Sequence, residues 1–127
     1  MIRGNTCAVL AATVLCCGSL SVHAADLSSQ SKAEIEYLFS YLKNSGCQFN
    51  RNEKWYSANE AVSHLGTKYN YLLEKNMLSS AEDFIDKAAT SSSMSGKLYL
   101  VKCSNEEPVQ SSAWFKAELS KYRSKKL

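Results

Sequence analysis

Cys47 and Cys103 constrain this chain more than any other residues, because they are the only cysteines outside an N-terminal stretch that reads as an export signal. That stretch places Arg3 ahead of an apolar run over 7–20 and ends in Val22-His23-Ala24, whose small first and third residues suit a signal peptidase. The apolar run covers about 14 residues, short of the roughly 20 that span a bilayer. Leu15 precedes Cys16 and Cys16 precedes Cys17, so neither follows the small residue that a lipid-modified cysteine needs. Residues 1–24 are therefore expected to be a cleavable signal peptide, and residues 25–127 one periplasmic domain of a bacterial protein. In an oxidising compartment the two cysteines that remain most simply pair with each other.

Cleavage leaves about 103 residues, room for one hydrophobic core and not two. The full chain carries 15 basic and 12 acidic residues, and loss of Arg3 brings the net charge to about +2. That balance is too even to imply a nucleic-acid partner, and none is expected. Lys121, Arg123, Lys125 and Lys126 read as a short solvated basic tail. With the apolar run removed, no stable membrane insertion is expected.

Helical and strand periodicities divide the rest. Ser31 with Glu34 reads as a capping box, and Ile35, Leu38, Phe39 and Leu42 follow as one apolar face until Gly46. Cys47 and Phe49 alternate as in a strand, Asn52 and Glu53 turn the chain, and Trp55 and Tyr56 begin the return. Ser57 and Glu60 open a second helix with Ala61, Leu65, Tyr69 and Leu72 inward, and Ser79 with Glu82 opens a third bearing Phe84, Ile85, Ala88 and Ala89. Residues 97–103 alternate again, with Tyr99, Val101 and Cys103 on one face. Beyond Pro108 a last helix carries Trp114, Phe115, Leu119 and Tyr122. The expected fold is α+β, a small antiparallel three-stranded sheet covered by about four helices in the order α-β-β-α-α-β-α. A bond between the cysteines requires the strand holding Cys103 to lie beside, or end near, the one holding Cys47.

Several short segments recur in the order of a known family. Ser45-Gly46-Cys47, Phe49-Asn50-Arg51-Asn52, His64-Leu65, Lys68, Ala81-Glu82-Asp83-Phe84-Ile85, Ser92-Ser93-Met94-Ser95-Gly96-Lys97 and Tyr99 together resemble the YfeK-like family of small exported bacterial proteins. The resemblance runs from about Ile35 to Arg123. It departs at Glu53, where that family tends to have a hairpin glycine, and at Leu98, where proline is frequent. The family has no established activity, so the resemblance implies export and fold but no chemistry.

The residues themselves suggest a non-catalytic binding or interaction module. His64 is the single histidine after the signal, and with both cysteines paired no metal site and no cofactor is expected. A histidine beside the apolar face of a helix is most simply bonded to a backbone group. Arg51, Lys68 and Lys97 are cations, while Ser92, Ser93, Ser95 and the Gly96 backbone offer neutral donors. Such groups converge in anion sites, and with Asn52, His64 and Tyr99 they form the candidate binding set. The partner would be an anionic small molecule, a cell-wall peptide or another envelope protein. Two alternatives stay open. One is a small envelope hydrolase in which His64 activates a serine of the 91–95 cluster. The other is a protein inhibitor using the Ser95-Gly96-Lys97-Leu98-Tyr99 loop, which is similar to the Ser-Gly-x-x-Tyr loop of some periplasmic lysozyme inhibitors.

Overall fold

The computed structural model describes residues 26–127 and, before them, only Gly4 and Gly18. The expected signal peptide over 1–24 thus lies outside the described residues. Helix α1 (Ser29–Asn44) begins earlier than Ser31: the Ser28 hydroxyl accepts the Ser31 N–H and caps the helix. Glu34 closes no box there, because its buried carboxylate is bound by Arg123. Helix α2 (Ala58–Glu74) carries the expected capping box of Ser57 and Glu60, with both reciprocal bonds present. Helix α3 (Ala81–Ala88) is capped by Ser80, one residue after the expected Ser79. Here too the expected partner is engaged elsewhere, since Glu82 pairs with Arg123, and Asp83 instead receives the Ser79 N–H and hydroxyl.

Four strands form an antiparallel sheet in the order β2-β1-β3-β4, namely β1 (Gln48–Arg51), β2 (Lys54–Tyr56), β3 (Leu100–Lys102) and β4 (Val109–Gln110). This corrects the expected three strands, and the chain order is α-β-β-α-α-β-β-α. Strand β4 pairs Val109 with Val101 and Gln110 with Leu100 just before α4 (Ser111–Lys125) begins. Two residues are too few to display an alternation, so in the sequence Pro108 reads as leading straight into a helix. The β1–β2 turn holds Asn52 at φ 51° and Glu53 at φ 68°, the two positive values of a type I′ hairpin.

Helices α1, α2, α3 and α4 pack with the sheet around one core. Ile35, Leu38, Leu65, Ile85, Phe49, Phe84, Tyr99 and Phe115 are almost wholly excluded from water. Cys47 and Cys103 are joined, with Cα atoms 4.3 Å apart. They occupy the register position just beyond the Gln48–Lys102 pair of β1 and β3.

The last helix is more than a solvated tail. Arg123 binds both oxygens of Glu34 on α1 and an oxygen of Glu82 on α3, so α4 clasps two other helices. On the same helix the buried Glu118 accepts a 2.6 Å hydrogen bond from the Tyr37 hydroxyl. That bond, reinforced by burial, pushes the Tyr37 phenol up to about 12. No described helix is long and apolar enough to cross a membrane.

Candidate functional site

Arg51 ends β1 and reaches over to α2, where its Nη1 lies 3.0 Å from His64 Nδ1. A guanidinium can only donate, so Nδ1 is the acceptor and the neutral imidazole carries its proton on Nε2. Nε2 then donates to the Tyr99 hydroxyl at 3.1 Å. Lys68, one helical turn after His64, donates to that same oxygen at 3.3 Å and to the Ser91 carbonyl at 3.1 Å. Two protons are thus delivered to Tyr99 Oη, and its own O–H has no acceptor among the described residues. Arg51 Nη2 meanwhile donates to Tyr56 Oη at 3.3 Å, with the guanidinium 4.9 Å from the tyrosine ring centre.

The electrostatics follow from this crowding. Burial, then Arg51 and Lys68, lower the His64 pKa below its ordinary value. Burial, with Arg51 adding to it, lowers Lys68 as well. Burial raises the Tyr99 phenol, and Arg51 partly opposes the rise. Among the described residues neither Arg51 nor Lys68 has a carboxylate within salt-bridge reach. Beside Arg51 and His64 opens a cavity of about 240 Å³ whose walls include Phe49, Tyr56, Ala61, Ser63 and Glu60.

The candidate residues therefore divide into two groups. Arg51, His64, Lys68 and Tyr99 form one linked network. Ser92, Ser95, Gly96 and Lys97 belong to a turn docked on the tip of the β1–β2 hairpin, where Asn52 receives it. Within it the Gly96 N–H is given to the Ser92 carbonyl, the Ser95 N–H to the Ser92 hydroxyl and the Ser95 hydroxyl to Asn52 at 2.6 Å. Lys97 pairs with Glu53 at 2.9 Å, and that bond holds the Glu53 carboxyl below its ordinary range. Ser93 is exposed and takes no part in either group. The Gly96 and Ser95 N–H groups are thus used inside the turn and the Ser95 hydroxyl and Lys97 on the hairpin, and none of these donors is bonded beside Arg51.

His64 is bonded to side chains and not, as expected, to a backbone group. Both ring nitrogens are engaged by Arg51 and Tyr99, and none of the 91–95 hydroxyls is among its hydrogen-bond partners. Tyr99 is 1% exposed, so the Ser95–Tyr99 segment does not present its tyrosine to a partner protein. Among the described residues no three His, Cys, Asp or Glu side chains are grouped to hold a metal ion. Tyr56, read from the sequence only as a strand residue, was missed as part of the site. Its only trace there is a hairpin register that sets it opposite Phe49, diagonal to Arg51 on the neighbouring strand.

Fold and site together define a small α+β domain with one internal disulfide and a cationic network beside a cavity. Over residues 29–123 the chain matches a family of unknown function, DUF5329, and it belongs to that family. It is 37% identical over 76 residues to the uncharacterized protein YfeK of Salmonella typhimurium, a match covering 59% of this chain and 62% of that protein. The chain thus spans less than two thirds of this curated relative. No solved structure matches it.

Proposed function

We propose that this chain is an exported, periplasmic binding module that holds a small anionic group, a carboxylate or phosphate, on Arg51 in the cavity beside His64. One observation carries the reading: Arg51 is half-buried, is held by two neutral acceptors, and has no counter-ion among the described residues. Two of its five N–H groups are used by His64 and Tyr56, which fix its plane and leave three for a ligand. Lys68 adds positive charge through Tyr99 without entering the cavity walls. Phe49, Tyr56 and Ala61 give an apolar body somewhere to rest, and Glu60 on the same wall disfavours a densely charged anion. Export is supported by the order of charge, apolar run and small residues over 1–24, and by the Cys47–Cys103 pairing.

The test is an NMR titration of the purified protein with acetate, inorganic phosphate and cell-wall peptide fragments. Amide shifts should saturate at Phe49, Ala61, Ser63 and His64, weaken with added salt, and vanish in Arg51→Ala. Shifts that persist unchanged in Arg51→Ala, or an absence of saturable shifts with every anion, would overturn the proposal.

A further inference from the structure

Further along α2 a second concavity opens, a groove of about 510 Å³ whose lining includes Thr67, Lys68, Tyr71, Leu72, Met77 and Lys87. Tyr71 is 56% exposed and Met77 44% exposed, so large apolar side chains stand in water here without a partner. Cations surround them. Lys68 and Lys87 belong to the lining, and the Lys75 ammonium lies 6.0 Å from the centre of the Tyr71 ring. No carboxylate residue lines the groove; the acid at hand is Asp83, 3.9 Å from Lys87. Lys87 also donates to the Met77 carbonyl at 2.6 Å, which removes that backbone acceptor from the floor.

We propose that this groove binds a single-chain anionic amphiphile, its acyl chain along Tyr71, Leu72 and Met77 and its carboxylate or phosphate head against the lysines. The volume falls within the range of small-molecule sites. Charge complementarity sets the sign of the head group, with cations on the rim and no acid in the lining. The lining also sets the nature of the body. A peptide would bring backbone N–H and C=O groups that need partners, whereas the polar side chains of the lining beyond the lysines are those of Thr67, Tyr71 and Ser93, and the Thr67 hydroxyl is already given to the Ser63 carbonyl. An acyl chain makes no such demand. The groove shares no lining residue with the Arg51 cavity, and the two are linked through Lys68, which also bonds Tyr99 of the Arg51 network.

Calorimetric and NMR titrations of the purified protein with dodecanoate, dodecyl phosphate and neutral dodecyl maltoside, each below its micelle concentration, test the proposal. In Arg51→Ala, where the anion site proposed above no longer competes, dodecanoate and dodecyl phosphate should bind at one site, with shifts at Thr67, Leu72, Met77 and Ser93, and the tighter of the two identifies the head group. The double variant Tyr71→Ser, Met77→Ser removes exposed side chains and should fold normally while weakening both by about tenfold or more. Arg51→Ala should leave dodecanoate binding intact even as it removes acetate binding, which separates this site from the one proposed above. Equal affinity for dodecyl maltoside, loss of dodecanoate binding in Arg51→Ala, or tighter binding of an acidic amphipathic peptide would each overturn it.

Discussion

Replacing Cys47 and Cys103 together by alanine should cost this domain about 4 kcal/mol. The two residues are 56 positions apart, and in the chain-entropy account a closed loop of that length removes about 14 cal/mol/K from the unfolded ensemble, hence about 4 kcal/mol at 25 °C. Register already sets Cys47 opposite Cys103, one step beyond Gln48 and Lys102. The β1–β3 ladder should therefore survive the loss, leaving the unfolded chain as the state that changes. Urea denaturation followed by the fluorescence of Trp55 and Trp114, with linear extrapolation, gives the number directly. Set against the 5–15 kcal/mol typical of a small domain, the variant should be marginal at 37 °C, with a midpoint of thermal unfolding lower by roughly 15–30 °C. A loss below about 1 kcal/mol, against the chain-entropy estimate, would refute the reasoning. So would a variant whose cross-strand amide contacts between Phe49 and Val101 have vanished in the folded state.

Three further outcomes are expected. Glu53→Gly should raise the urea midpoint, because Glu53 sits at φ 68° where a Cβ is unfavourable and its ion pair with Lys97 is exposed; a lower midpoint would show that the pair outweighs the backbone. Arg123→Met should destabilise by roughly 2–3 kcal/mol in the same assay, since it strands the buried Glu34 carboxylate, whereas Lys116→Met, which breaks only the exposed pair with Asp86, should cost less than about 0.5 kcal/mol. His64 titrates below its ordinary 6.5 in the folded protein, so its contribution to stability is full above pH 6.5 and is lost as pH falls from there toward the folded value, where only the unfolded chain takes the proton. His64→Gln should flatten the stability profile in that window, and an unchanged slope would contradict the assignment.

Where one element supplied its own signals, the sequence was readable. The face of α2 and its box of Ser57 and Glu60 are local, and they occur as expected. The caps of α1 and α3 slipped for one shared reason: Glu34 and Glu82, the expected box partners, are both drawn to Arg123, a residue far along the chain. Periodicity cannot register a competitor of that kind. Strand β4 was hidden because two residues show no alternation. The meeting of Arg51, His64 and Tyr99 depends on how α2 crosses the sheet, and nothing in the spacing of 51, 64 and 99 encodes that crossing. The serine cluster showed its donors in the sequence but not their partners, since Ser92 and Asn52 accept the Ser95 N–H and hydroxyl.

The clasp made by Arg123 also bears on when the chain can fold. Phe115, Leu119 and the counter-ion of Glu34 all belong to α4, far along the chain from α1, with which α4 packs. A nascent chain lacking α4 would leave the Glu34 carboxylate unmatched and part of the core open to water, so closure must wait for α4. Contacts across so much sequence also slow the search once the chain is whole.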